Sequence, residues 1–167
     1  YCGNLSGKTI GIITEKNPTE AAAKRKKGFT DALQHTGAQL IWNVSYFPEE
    51  DGENVMKDQP AVDLVAALDD SSVTEAGKQA EANNLHGALV YGIGNSTDAV
   101  YGLDTRAIEC LIVPDTFDMG YQSLTLTAQG LTHFFAKKEH KTVSYTIMHK
   151  QELFSEKNQE IIFTMSQ

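Results

Sequence analysis

Side chains able to grip a polar solute fall at five places in this 167-residue sequence: Glu15-Lys16-Asn17, Tyr46-Phe47, Asp69-Asp70-Ser71, Gly92-Ile93-Gly94-Asn95-Ser96 and Pro114-Asp115-Thr116-Phe117. Carboxylates, amides and hydroxyls supply directed hydrogen bonds, and aromatic rings supply flat apolar faces. That inventory suits a polar small molecule, uncharged or cationic. The constellations that drive reactions are missing from the sequence. There is no GxSxG, no glycine-rich loop ending in a P-loop lysine and no Cys/His pair at nucleophile spacing. Cys2 and Cys110 have no CxxC or histidine partner at ligand spacing, and the five histidines stand singly, so no metal or cofactor is expected. The reading is a binding protein and not an enzyme.

Each candidate also has a purely structural role open to it. Asn17 and Ser72 suit helix caps, and a carboxylate ahead of a helix is stabilised by the N-terminal dipole. Asp70 is assigned to that capping role, which leaves Asp69 as the better ligand candidate. Gly92-x-Gly94 lacks the third glycine of a dinucleotide fingerprint and sits on the wrong strand for one, so tight-turn chemistry explains it. Tyr46 and Phe47 can serve as a hydrophobic lid on the core as well as a stacking platform, and Trp42 belongs in the core. Arg25, two turns inside a helix, fits a surface ion pair.

The elements that position these groups alternate regularly. Residues 9–13, 39–44, 62–68, 87–91 and 109–113 read as buried strands, and 143–148 as a last one. Asn17-Pro18-Thr19-Glu20 offers a cap, a first-turn proline and a capping-box glutamate, followed by Ala22, Phe29, Ala32 and Leu33 on one stripe and Gly37 as the stop. Ser72-Val73-Thr74-Glu75 opens a second helix to about residue 83. Helices follow over 96–103 and 117–138, one short helix is expected within 48–60, and 151–165 shows no deciding period. Strands alternating with helices require right-handed crossovers, so the expected fold is α/β, with a doubly wound, mostly parallel sheet of five to six strands. In such a sheet ligands bind beyond the carboxyl ends of the strands, where all five candidate stretches lie.

Composition bounds the partners. Fourteen basic against 22 acidic residues give a net charge of −8, which argues against nucleic acid; the one basic cluster, Lys24 to Lys27, reads as a solvated helix face. No apolar run approaches the roughly 20 residues that span a bilayer. The length suits one compact core, so residues 1–167 are taken as a single lobe-sized domain.

The order of landmarks resembles the C-terminal lobe of type I periplasmic binding proteins, the family of ribose- and galactose-binding proteins and of the effector domains of lactose-repressor-like regulators. The matching pieces are Gly7-Lys8-Thr9-Ile10-Gly11-Ile12-Ile13, Arg25-Lys26-Lys27-Gly28-Phe29-Thr30-Asp31-Ala32-Leu33, the stretch 62–70, Ala88-Leu89-Val90-Tyr91-Gly92-Ile93-Gly94-Asn95, Ala107-Ile108-Glu109-Cys110-Leu111-Ile112-Val113-Pro114-Asp115, and Met119-Gly120. The resemblance implies a non-catalytic receptor in which two lobes close on a small solute, commonly a sugar. It implies a ligand contact at Asp69, with Asn95 just beyond another. It also implies an ABC transporter permease as partner for a transport receptor, and an extracellular or periplasmic location, with membrane anchoring in the full-length protein, or a cytoplasmic one for a regulator. Three frequent sugar contacts depart from the pattern: the early-helix arginine falls at Ala23, the Asp after the fourth strand at Gly94, and the polar residue after the fifth at Pro114.

The family needs two lobes, and this chain has the length of one. Phe117, Met119, Tyr121, Leu124, Leu126, Leu131, Phe134 and Phe135 make the segment after Pro114 strongly apolar, so residues 115–140 are expected to pack on a first lobe or on a second chain, with a homodimer through 117–136 as one outcome. The competing class is a flavodoxin-like signalling or enzymatic module built on Asp69 or Asp70; Glu15, Asp69 and Asp115 offer its acids, but no lysine follows the fifth strand.

Overall fold

The strands form because their β-branched and aliphatic residues cluster in short runs, and their order is decided by how the crossovers pack. A computed structural model describes residues 4–46, 55–132 and 142–163. Along the chain come β1 (Thr9–Glu15), α1 (Glu20–Leu33), β2 (Gln39–Tyr46), β3 (Leu64–Ala67), α2 (Asp70–Glu81), β4 (Leu89–Ile93), α3 (Thr97–Thr105), β5 (Cys110–Pro114), α4 (Thr116–Thr132), β6 (Tyr145–Met148), a single 3-10 turn (Lys150–Glu152) and α5 (Glu156–Phe163). The sheet order is β2-β1-β3-β4-β5-β6, parallel throughout except for β6, which runs antiparallel to β5. The α/β expectation with a mostly parallel six-stranded sheet therefore holds. Phe47 and most of the 48–60 stretch lie outside the described residues, as do residues 133–136 of the apolar segment; residues 55–58 form turns.

Two helix starts differ from expectation. Asn17-Pro18 stays outside α1: the residue before a proline is pushed away from the helical region, and the Thr19 hydroxyl, which accepts the Ala22 N–H at 3.2 Å, becomes the cap. Asp69, extended at φ −155°, caps α2 by accepting the Ser72 N–H at 3.0 Å, so the helix begins at Asp70 and Ser72 lies buried in its first turn. Ala32, expected on the buried stripe of α1, is exposed, whereas Ala22 and Leu33 are buried and Phe29 packs beside them.

The register divides the apolar residues between two faces. On one, Val65, Ala67, Val90, Leu111, Val113 and Met148 pack against Val73, Ala76, Ala99 and Leu103 of α2 and α3. On the other, Ile10, Ile12, Leu64 and Ala66 lie under Phe29 and Leu33 of α1. Trp42 is buried as expected and donates its indole N–H to the Pro60 carbonyl at 2.9 Å. Its ring lies on β1 at Gly11, where any Cβ would come within 2.1 Å of it. At the lower end of the sheet Asp63 accepts the Thr9 N–H and hydroxyl, both at 2.8 Å, and pairs with Lys8 at 3.1 Å. The Thr9 backbone and hydroxyl bonds, then Lys8, hold the exposed Asp63 carboxyl down to about 2.

Candidate functional site

Strand order reverses at β1: the chain goes to β2 on one side and later returns to β3 on the other. The crevice of a sheet wound 2-1-3-4-5 lies above that point, so the tips of β1 and β3 are where a ligand is to be sought. These tips are tied together by Asp69. One of its carboxylate oxygens accepts the Glu15 N–H at 2.7 Å; the other accepts the Ser72 N–H and the Ser71 hydroxyl, each at 3.0 Å. The side chain is buried, and three N–H and O–H donors converge on it. It thus fixes the end of β1 relative to the start of α2.

Asp70 makes the next link. Its Oδ1 accepts the N–H groups of Asn95 at 2.7 Å and Ser96 at 2.9 Å, stitching the β3 tip to the β4 tip. Sequence reasoning placed the capping role on Asp70 and the free carboxylate on Asp69; the structure gives the cap to Asp69 and the inter-loop staple to Asp70. The reason is spacing. A cap must stand three residues ahead of the N–H it receives, and the strand ends at Ala67, so the carboxylate in extended backbone is the earlier one.

This staple explains Gly94. A Cβ there would sit 2.6 Å from Asp70 Oδ1 and 2.8 Å from Val73 Cγ1. The position at which the resemblance expects an aspartate is therefore filled by a carboxylate from the neighbouring loop. The signal was present in the sequence, as an acidic pair after one strand and a side-chain-free residue after the next, but only their separation in space connects them.

The remaining candidates distribute as follows. Glu15 ends β1 half-buried, and Lys16 and Asn17 follow it on the exposed turn, with the Lys16 N–H on the Tyr46 carbonyl at 2.9 Å. Tyr46 is buried in the core cluster under α2 and α3. Asn95 is half-buried at the β4 tip, next to Ser96, whose hydroxyl caps α3 through the Ala99 N–H at 3.3 Å. Asp115 follows β5 and accepts the Asp118 N–H at 2.9 Å at the start of α4. Phe117 stands 69% exposed one residue into that helix. Glu15, Asp69, Asp70, Asn95 and Asp115 thus share one edge of the sheet, whereas the Tyr46 ring is turned into the core. Ala23, the expected arginine position, is exposed on α1, and Pro114 is half-buried at the β5 tip. Among the described residues no cluster of three His, Cys, Asp or Glu side chains is arranged to hold a metal ion, and no helix is long and apolar enough to cross a membrane.

No protein-family model and no curated protein sequence matches this chain. Solved structures do. A carbohydrate-transporter solute-binding protein from Agrobacterium radiobacter, in complex with D-arabinose, superposes with a TM-score of 0.79 at 21% identity, covering 93% of this chain and 55% of that one. An ABC transporter solute-binding protein from Bacillus halodurans with bound myo-inositol gives 0.74 at 19%, covering 92% and 55%. A protein assigned as a LacI transcriptional regulator from Bacteroides fragilis gives 0.69 at 15%, covering 87% and 54%. The chain has the fold these proteins share and spans about 55% of the length of the first of them.

Proposed function

We propose that this chain is one lobe of a two-lobed, non-catalytic receptor for a small polar solute of the carbohydrate or polyol type. The observation that carries the reading is the set of strand tips at the β1/β3 reversal. Asp69 and Asp70 lock them through five hydrogen bonds into a pre-formed edge, on a fold also found in proteins solved with arabinose and inositol. Glu15, Lys16, Asn17, Asn95, Asp115 and Phe117 are the groups proposed to meet the ligand, with Phe47 completing the aromatic share; Asp69 is proposed to do so through lone pairs not taken by its three donors. Tyr46 is proposed to act from beneath, as packing under the β2 tip.

The second lobe is proposed to receive α4. As part of a transport receptor the protein would act outside the cytoplasm with an ABC permease; as part of a regulator it would act inside. The LacI-type neighbour supports keeping the second setting. In the phosphoacceptor alternative, Asp69 would have to give up an oxygen already engaged by main-chain N–H groups.

A thermal-shift and calorimetric panel of pentoses, hexoses, inositols, nucleosides, polyamines and amino acids on the full-length protein tests the reading. A stabilising sugar or polyol supports it, since a ligand that binds only the folded state raises Tm by mass action. Stabilisation solely by another class, or acetyl-phosphate labelling of Asp69 or Asp70, overturns it.

A further inference from the structure

Glu15 closes β1 at the point where the strand order reverses, and it differs from the other acids at this edge. Asp69, Asp70 and Asp115 each accept main-chain N–H groups and so hold the fold together. Among the described residues no hydrogen bond or ion pair reaches the Glu15 carboxylate, and the adjacent Lys16 does not pair with it. The residue is nonetheless half-buried. Its main chain is fixed on both sides, with the N–H on Asp69 at 2.7 Å and the strand in register with Tyr46 of β2, so the side chain leaves a rigid stem. The charges nearby have its own sign. Asp69 and Asp70 are offset by the N-terminus of α2, which one caps and the other begins. Glu15 stands five residues ahead of α1 and caps no helix. Residues 47–54, which follow β2, contain four acids and no Lys or Arg, so no counter-ion comes from them.

We infer that the solute carries a protonated amine, as an amino sugar or an aminated polyol does, and that Glu15 is the residue that selects it; the inference rests on the carbohydrate reading proposed above. Closing a cleft over this edge strips water from Glu15. A carboxylate desolvated without a cation is strongly unfavourable, and more so beside two further carboxylates. A neutral hydroxyl can donate one hydrogen bond to it but leaves the charge in place. An ammonium group cancels the charge and has three donors, and its bonds to a carboxylate are charge-assisted and short. Asp69 cannot take this part as readily, because its two oxygens already accept three donors. A neutral sugar of the same shape therefore gains less at the β1 tip, and an acidic or phosphorylated one is repelled. Charge at one position, rather than ring size, is what separates these solutes.

Titration calorimetry on the full-length protein tests this with matched pairs: D-glucosamine against D-glucose, D-galactosamine against D-galactose, and an amino-deoxy-inositol against myo-inositol. In the pair that binds, the amine-bearing member is expected to bind about tenfold tighter or better, the scale of one charge-assisted hydrogen bond. In Glu15→Gln, which keeps the shape and removes the charge, the ratio of the two affinities should fall to within about threefold. Because the readout is a ratio within one protein, a general weakening by the substitution does not imitate the effect. A neutral member that binds as tightly as its amine counterpart, or a preference that survives Glu15→Gln, overturns the inference and leaves the carbohydrate reading standing. Binding by no member of any pair, with another solute class bound instead, overturns both.

Discussion

The two faces of the sheet carry similar residues and end in different situations. Under α2 and α3, Val65, Val90, Leu111, Val113 and Met148 are at most 1% exposed. On the opposite face, the same strands present Leu89, Tyr145 and Ile147 with about half or more of their surface in water, from 47% at Leu89 to 65% at Tyr145. Hydrophobic content alone does not separate these sets. What separates them is whether a crossover helix returns over that part of the sheet. Among the described residues, the chain places α2 and α3 on one side as it steps from β3 to β5, and α1 on the other. Among the described residues, the first face is therefore the more completely covered one, and on the second the covering is confined to the part near α1.

The contrast can be broken or sharpened by substitution. The largest effect is expected at Leu111→Ala: the side chain is fully buried, and loss of its methyl groups plus the cavity left behind should cost about 2–5 kcal/mol in denaturant unfolding. Asp70→Ala comes next. It removes the acceptor of the Asn95 and Ser96 N–H groups and should cost about 1–3 kcal/mol, with faster amide exchange at those two positions. If their exchange does not change, the inter-loop staple is not what orders the β4 tip.

Asp63→Asn addresses the lower end of the sheet. With its carboxyl lowered from 3.8 to about 2, Asp63 contributes stability that is fully present above pH 3.8 and is lost as pH falls from there toward 2. The Tm gap between parent and variant should thus be open at neutral pH and close over that acid window. A gap independent of pH would mean that Thr9 and Lys8 do not act through the charge. The smallest effect is expected at Leu89→Ala, within about 0.5 kcal/mol in dilute protein, because its side chain is already half in water. A cost comparable to that of Leu111→Ala would erase the distinction between the faces.

Much of the fold was legible because the relevant signals are local. The apolar runs at 9–13 and 109–113 lie within one residue of β1 and β5 at their amino ends, and the last strand was found although it is short. Helix starts were less accurate. Asn17, Ser72 and Asp69 are all competent caps by type, and the choice among them depends on where the preceding strand releases the chain. At the candidate site, the residues of the strand tips could be named from the sequence, but their division of labour could not. Asp69 and Asp70 differ by one position, and their partners, Glu15 and Asn95, are 54 and 25 residues away.

The amino-acid order by itself determined the alternation of strands and helices and the gathering of polar groups at one edge, because these follow from short-range periodicity and from the handedness of crossovers. Tertiary structure alone decided which carboxylate caps and which one staples, and why residue 94 has no room for a side chain. Those outcomes turn on distances between segments far apart in the chain, and no local pattern encodes a distance.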